Sequence, residues 1–299
     1  MNCCSISFSL ILLFSLASRA DTTNAPAPAA LPTPVPGIPV GWCIRAKTPV
    51  FADAKAAGFE YVELALQDVY GLSDPDFSRL VADLQRLGLN ARSGYNPIPK
   101  ELKIVGPDVD QAKLDAHLAR VLDRAAALKL TYIVLNSGAS WRVPEGFAED
   151  RAFTQLADFS RHFAELAASR GITVLIEPLR ATDSNQIITI AEANKLVETV
   201  NHANFQMMVD YSFLRIQQDD IKALLASGGH LRNIHISNPP KRTYPMTDAE
   251  SDYESFFQVL KQINYRGGLS VHGSPGVFTN DAPRAITFLR TKAREVAGN

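Results

Sequence analysis

A chain of 299 residues, 46% hydrophobic and 20% charged, carries enough apolar material for one large core or two small ones. Its formal charge is −1, and removing residues 1–20, which hold Arg19 and no acid, leaves −2. This balance lacks the basic excess of a protein whose main partner is a phosphate backbone, so nucleic acid is disfavoured as a partner.

From Ile6 to Ala17 runs an apolar and Ser stretch too short to span a bilayer, followed by Ser18-Arg19-Ala20, a small-x-small cleavage pattern. Residues 1–20 therefore read as a secretory signal, and the protein as exported to a periplasm or the exterior with no stable membrane span. Met1 to Ser5 contains no Lys or Arg, which leaves an interfacial anchor as the competing reading. After processing, Cys43 is the single cysteine, so no intramolecular disulfide can form and stability must come from the core. Residues 21–37 are rich in Ala, Pro and Thr and lack apolar periodicity, the composition of an extended tether. Residues 38–299 are expected to form one domain.

Within that domain, short β-prone apolar runs alternate with amphipathic segments of helical length, the pattern of a parallel sheet connected by helices. Eight runs are predicted as strands: Pro39–Cys43, Tyr61–Leu66, Leu89–Ser93, Thr131–Asn136, Thr173–Glu177, Gln206–Asp210, Arg232–Ile236 and Gly268–His272. Helix signals lie between them. Asp74 reads as an N-cap with Pro75 in the first turn, then Phe77, Leu80, Val81, Leu84 and Leu87 share a face, and Gly88 is the stop. Gly58 and Gly171 are similar stops. Eight strand–helix units predict a (β/α)8 TIM barrel rather than an open doubly wound sheet, and no Gly-rich phosphate turn follows any strand.

In such a barrel the active site is built at the C-terminal ends of the strands, so polar residues that end apolar runs are the informative ones. Four consecutive runs end this way, at Glu177, Asp210, His235 and His272, with separations of 33, 25 and 37 residues. Each separation is about one β/α repeat, which places two carboxylates and two imidazoles on one arc of the barrel mouth as candidate ligands of a divalent metal. Any one of them alone reads equally as a cap or a satisfied structural histidine. His117, His162, His202 and His230 fall in or beside helical segments and read as surface or capping residues. Trp42, Tyr95, Asn96, Asn136, Trp141, Arg142, Asp183, Asn185 and Arg242 lie near predicted strand ends or in the loops beyond. Aromatic and amide groups there suit stacking on sugar rings and hydrogen bonding to hydroxyls, although both tryptophans also suit plain packing.

Several stretches in order, LKIVGPDVD from Leu102, VPEGF from Val143, IEPL from Ile176, NQIITIAEA from Asn185, HISNP from His235 with Arg242 and Pro245, and YESFF from Tyr253, make residues 40–295 resemble the sugar phosphate isomerase/epimerase family. These are xylose-isomerase-like barrels that include tagatose-3-epimerase-like enzymes. The resemblance implies a metal site with Glu177, Asp210 and His235 as ligands, and proton abstraction beside a sugar carbonyl by a pair of carboxylates. The chain departs from the family where a second catalytic Glu usually ends strand 8 and His272 stands, where a His usually follows the strand-6 Asp and Phe213 stands, and at Arg180 and Asp183. His272 is then either a fourth ligand or a free general base, with Glu177 as its catalytic partner. Two histidines shift the expected ion from Mg²⁺ toward Mn²⁺ first, with Zn²⁺ or Co²⁺ as alternatives. The reading is a metal-dependent isomerase, epimerase or lyase acting on a neutral carbohydrate. A non-catalytic carbohydrate-binding barrel is the alternative. Phosphodiesterase chemistry would need more His and acidic ligands than this arc provides.

Overall fold

The computed structural model describes residues 38–46 and 50–298. The signal and tether assigned to residues 1–37 lie outside the described residues. Eight parallel strands close into a barrel in sequence order. They are β1 Val40–Ile44, β2 Tyr61–Ala65, β3 Asn90–Tyr95, β4 Tyr132–Leu135, β5 Thr173–Ile176, β6 Phe205–Asp210, β7 Leu231–Ile236 and β8 Gly268–Val271. Pairing of β1 with β8 leaves no free edge among them. Each strand lies within two residues of its predicted run. Strands buried on both faces read as nearly continuous apolar runs, as β4 and β5 do, whereas β3, Asn-Ala-Arg-Ser-Gly-Tyr, is not apolar.

The helices are α1 Phe51–Ala57, α2 Leu66–Tyr70, α3 Asp74–Leu87, α4 Gln111–Ala127, α5 Gly138–Trp141, α6 Glu149–Ala168, α7 Ile190–Val200, α8 Tyr211–Gln217, α9 Ala223–Ser227, α10 Tyr253–Gln262 and α11 Phe278–Ala297. Local chemistry sets their ends. Ser73, not Asp74, caps α3: its side chain accepts from Asp76 N, and Asp74 and Pro75 are already helical. Both residue types are good caps, and the hydroxyl has the extended backbone that the cap position requires. Gly88 closes the helix in the left-handed conformation at φ 56°. Thr189 and Glu192 form a capping box at the start of α7. Among the described residues no helix is long and apolar enough to cross a membrane.

Most of the apolar core lies between the barrel and its helices. Each fully buried aliphatic side chain there contributes about 1.5–3 kcal/mol. Inside the barrel the chemistry divides. Val134, Leu175 and Met208, on β4, β5 and β6, form a small apolar cluster of their own. The arc formed by β7, β8, β1 and β2 is polar, with buried Asn233, His235, Ser270, Cys43 and Glu63. Below it the Tyr61 ring lies across the barrel, its hydroxyl hydrogen-bonded to Ser270 Oγ at 2.6 Å. Gly41 and Gly268 make room for that ring, since a Cβ on either would collide with it. The barrel therefore has a packed floor and a polar arc above it, the setting for a site at the strand C-termini.

Candidate active site and metal centre

Glu177 follows the last residue of β5, Asp210 ends β6, His235 is the fifth residue of β7, and His272 follows β8. Pairing sets Asp210 beside His235 and His235 beside Ser270. The four side chains converge. His235 Nδ1 lies 3.4 Å from Glu177 Oε1 and 3.1 Å from His272 Nδ1, and His272 Nδ1 lies 3.8 Å from Asp210 Oδ2. Glu177, Asp210 and His235 each present a ligand atom within 4.8 Å of the others, and so do Cys43, His235 and His272.

Glu63 of β2 orders this cluster. It is fully buried and receives Asn233 Nδ2 at 2.6 Å, His235 Nε2 at 3.0 Å and the Ser270 hydroxyl. Burial alone would raise its carboxyl pKa, but His235, Ser270 and Asn233 together hold it below the usual carboxylate range. An ionised Glu63 accepts a hydrogen bond from His235 Nε2, which fixes the ring orientation and points Nδ1 at Glu177 and His272. Burial would lower the pKa of the His235 imidazole, yet Cys43, Glu63 and Glu177 raise it well above its ordinary value. His272 moves the other way, lowered by burial and then by the positive charges of His235 and Arg242. These opposite shifts favour positive charge on His235 over His272, and a hydrogen bond joins the two Nδ1 atoms at 3.1 Å.

The donor set fits a divalent ion. Separations of 3.1 and 3.4 Å suit neighbouring ligands of one ion bonded at about 2.0–2.2 Å. Glu177 Oε1 is buried and finds no hydrogen-bond partner among the described residues, whereas its Oε2 accepts from Asn136 Nδ2 at 2.7 Å. Leaving a buried carboxylate oxygen bare is costly, and a cation beside it removes the cost. The ion would replace the proton on His235 Nδ1. Replacing Glu63 with Gln is expected to lower divalent-ion affinity about 10–100-fold with the barrel intact, because an amide can present NH₂ to Nε2 and reverse the tautomer. Calorimetric titration of metal-stripped protein reads this, and an unchanged affinity would rule out the orienting role.

Asp210 joins the site to the helix that follows. Its Oδ1 caps α8, accepting from Ser212 N at 2.9 Å and Phe213 N at 3.4 Å, and its Oδ2 meets Arg242 at 2.9 Å. Arg242 has a left-handed backbone, φ 55°, and also donates to the His272 carbonyl at 2.8 Å. An L-residue held there stores about 1–2 kcal/mol, which its charge-assisted bonds offset. Its guanidinium lies 4.6 Å from the Phe213 ring centroid, and Arg180, paired with Asp183, lies 4.9 Å from the same ring.

The residues expected to bind substrate divide into two groups. Tyr95 stays with the cluster, its ring 5.3 Å from that of His272 and 6.3 Å from that of His235. Asn136 holds Glu177, and its Oδ1 receives Asn96 N at 2.6 Å. Trp42 is a correction. It alternates with inward-facing Cys43 along β1, so it faces the helices and stacks on Phe59 and Phe278. Trp141 is another, fully buried in the core between barrel and helices. Arg142 binds the Thr182 carbonyl and Asn185 clasps both backbone groups of Val143, so these two brace loops against one another, while Asp183 holds Arg180 within its own loop. Glu63 lies in the middle of β2, and Cys43, although it ends its predicted run, is an apolar-type residue that does not stand out from it. The signal available for Glu63 is an acid inside the apolar run Tyr-Val-Glu-Leu-Ala. A buried carboxylate requires partners.

A closed eight-stranded barrel with this cluster at its strand ends defines the class, and the chain belongs to the xylose isomerase-like TIM barrel family, whose pattern matches residues 51–291. Among characterised relatives, it is 27% identical over 234 residues to L-ribulose 3-epimerase of Methylomonas sp., covering 77% of this chain and 79% of that one. It is 25% identical over 182 residues to 3-dehydro-D-guloside 4-epimerase of Escherichia coli, covering 56% and 67%. In structure it is similar to D-allulose 3-epimerase from Methylomonas sp., with a TM-score of 0.76 at 22% identity, over 88% of this chain and 99% of the other. The 3-keto-D-glucoside 4-epimerase of E. coli gives a TM-score of 0.71 at 21% identity, over 85% and 99%.

Proposed function

We propose that this chain is an exported, metal-dependent sugar epimerase or isomerase that removes a proton next to the carbonyl of a neutral ketose or keto-glycoside. The observation that carries the reading is the bare, buried Glu177 Oε1 facing His235 Nδ1, with Asp210 and His272 beside them. The epimerase relatives support the reaction class, and the E. coli match is named for a keto-glycoside-type substrate. The signal-like residues 1–20 support export and, with it, an unphosphorylated substrate. Mass spectrometry of exported protein should give an N-terminus at Asp21, and a chain beginning at Met1 would contradict cleavage.

A divalent ion at this centre would act as a Lewis acid, polarising the substrate carbonyl and offsetting the negative charge that develops as the neighbouring proton leaves. Asn136 fixes Glu177 Oε2 and so orients the carboxylate toward the reacting carbon. His272, kept neutral by burial and by the charges of His235 and Arg242, can receive or return a proton on the other side. Tyr95 closes one wall beside both imidazoles. Return of the proton to the opposite face gives an epimer, return to the neighbouring carbon an isomer, and departure of a β-substituent an elimination product.

One observation favours the second reading, a carbohydrate-binding barrel without turnover: Arg242 occupies the Asp210 oxygen that an ion would take. Deuterium exchange separates the two. Incubation in D₂O with a panel of ketoses and 3-keto-glycosides plus a divalent ion is expected to place deuterium beside the carbonyl of the true substrate. Sugar binding without exchange would establish the binding barrel instead.

A further inference from the structure

Beyond its effect on His235, Cys43 has no role in the chemistry above, yet it stands within the site. On β1 it pairs in register with Glu63, faces into the barrel, and is free and buried. Its sulfur and one ring nitrogen each of His235 and His272 lie within 4.8 Å of one another. His235 belongs both to this group and to the group formed with Glu177 and Asp210. One face of the cluster is hard, two carboxylates, and the other is softer, a thiol and an imidazole. An independent sign that a cation belongs here is Glu177 Oε1, buried without a hydrogen-bond partner among the described residues and facing the shared histidine.

We propose that Cys43 is a direct sulfur ligand of the centre, completing with His272 a soft face opposite Glu177 and Asp210, and that the preferred ion is thiophilic, Zn²⁺ rather than Mn²⁺ or Mg²⁺. This rests on the metal-dependent reading of the site and deepens it by naming the ion; it takes His272 as a ligand, which leaves Glu177 as the proton carrier. On binding, the Cys43 S–H bond breaks, sulfur bonds to the ion, and the proton leaves to solvent. Thiolate and imidazole donors select Zn²⁺ and Co²⁺ over ions that prefer oxygen alone.

Co²⁺ serves as the probe because a thiolate bound to it gives a near-ultraviolet charge-transfer band that carboxylate and imidazole ligands do not. Metal-stripped wild-type protein titrated with Co²⁺ is expected to develop that band to a stoichiometric end point. Cys43→Ser should bind Co²⁺ without the band, and its Zn²⁺ affinity should fall at least about tenfold while Mn²⁺ affinity changes little. Cys43→Ala, with melting curves for both variants, guards against a folding defect, and the wild-type spectrum decides the question without either. Stoichiometric Co²⁺ binding with no charge-transfer band overturns the sulfur ligand and leaves the metal centre standing. Failure of the wild type to bind Co²⁺ at all overturns both.

Discussion

Glu177→Gln is expected to lower deuterium exchange and turnover on the true substrate by about 10²–10⁴-fold, the range for loss of a positioned acid–base group. The substitution preserves shape and the contact with Asn136, but it removes the charge at an oxygen that is buried and otherwise bare. In the metal-free protein His235 Nδ1 lies 3.4 Å from that oxygen, too far for a good hydrogen bond. The variant should therefore fold as well as the wild type, since it no longer buries a poorly compensated carboxylate. Single-turnover measurements at saturating sugar separate this from weakened binding, because a lost base lowers kcat whereas a lost contact raises KM. Wild-type exchange rates in Glu177→Gln would remove Glu177 from the chemistry.

The second large effect concerns Arg242. Its guanidinium is the cation that the structure places on Asp210 Oδ2, a buried oxygen, and its own side chain is 21% exposed. Arg242→Gln leaves that carboxylate uncompensated and is expected to destabilise the metal-free protein by about 3 kcal/mol, the lower end for breaking a buried pair. For a domain of this size that corresponds to a fall in Tm of about 6–12 °C. An ion competes with Arg242 for the same oxygen, so adding Zn²⁺ or Mn²⁺ should raise the Tm of the variant more than that of the wild type. An ion at about 100 times its Kd supplies about 2.7 kcal/mol, close to the amount lost. Equal gains in both proteins would mean that Arg242 and the ion do not share Asp210.

The strands and four of the site residues are legible in the sequence for one physical reason. Parallel strands buried on both faces are largely apolar, so a polar residue that ends one stands out, as Glu177, Asp210 and His272 do, with His235 one residue inside its run. Glu63 is not legible in this way because it is a mid-strand residue of β2 whose partners on β7 and β8 are about 170 and 207 positions away, and only closure of the barrel brings them together. Trp42 and Cys43 exchange roles through strand alternation: the conspicuous ring faces the helices and the inconspicuous thiol faces the site. Arg242 reads in the sequence as a polar loop residue, but its contact with Asp210 comes from a left-handed backbone that Gly, rather than Arg, would suggest. Loop residues such as Arg142 and Asn185 have site-like chemistry in the sequence and bracing contacts in the fold, because amide and guanidinium groups serve both uses equally well.

The claim on which the rest depends is that Glu177, Asp210 and His235 hold a divalent ion. Metal analysis of the purified wild-type protein beside Glu177→Ala, both handled in metal-free buffers after the same expression, tests it directly. The account predicts about one divalent ion per wild-type chain and a loss of most of it in the variant, with circular dichroism unchanged. Equal metal content in the two proteins would contradict it.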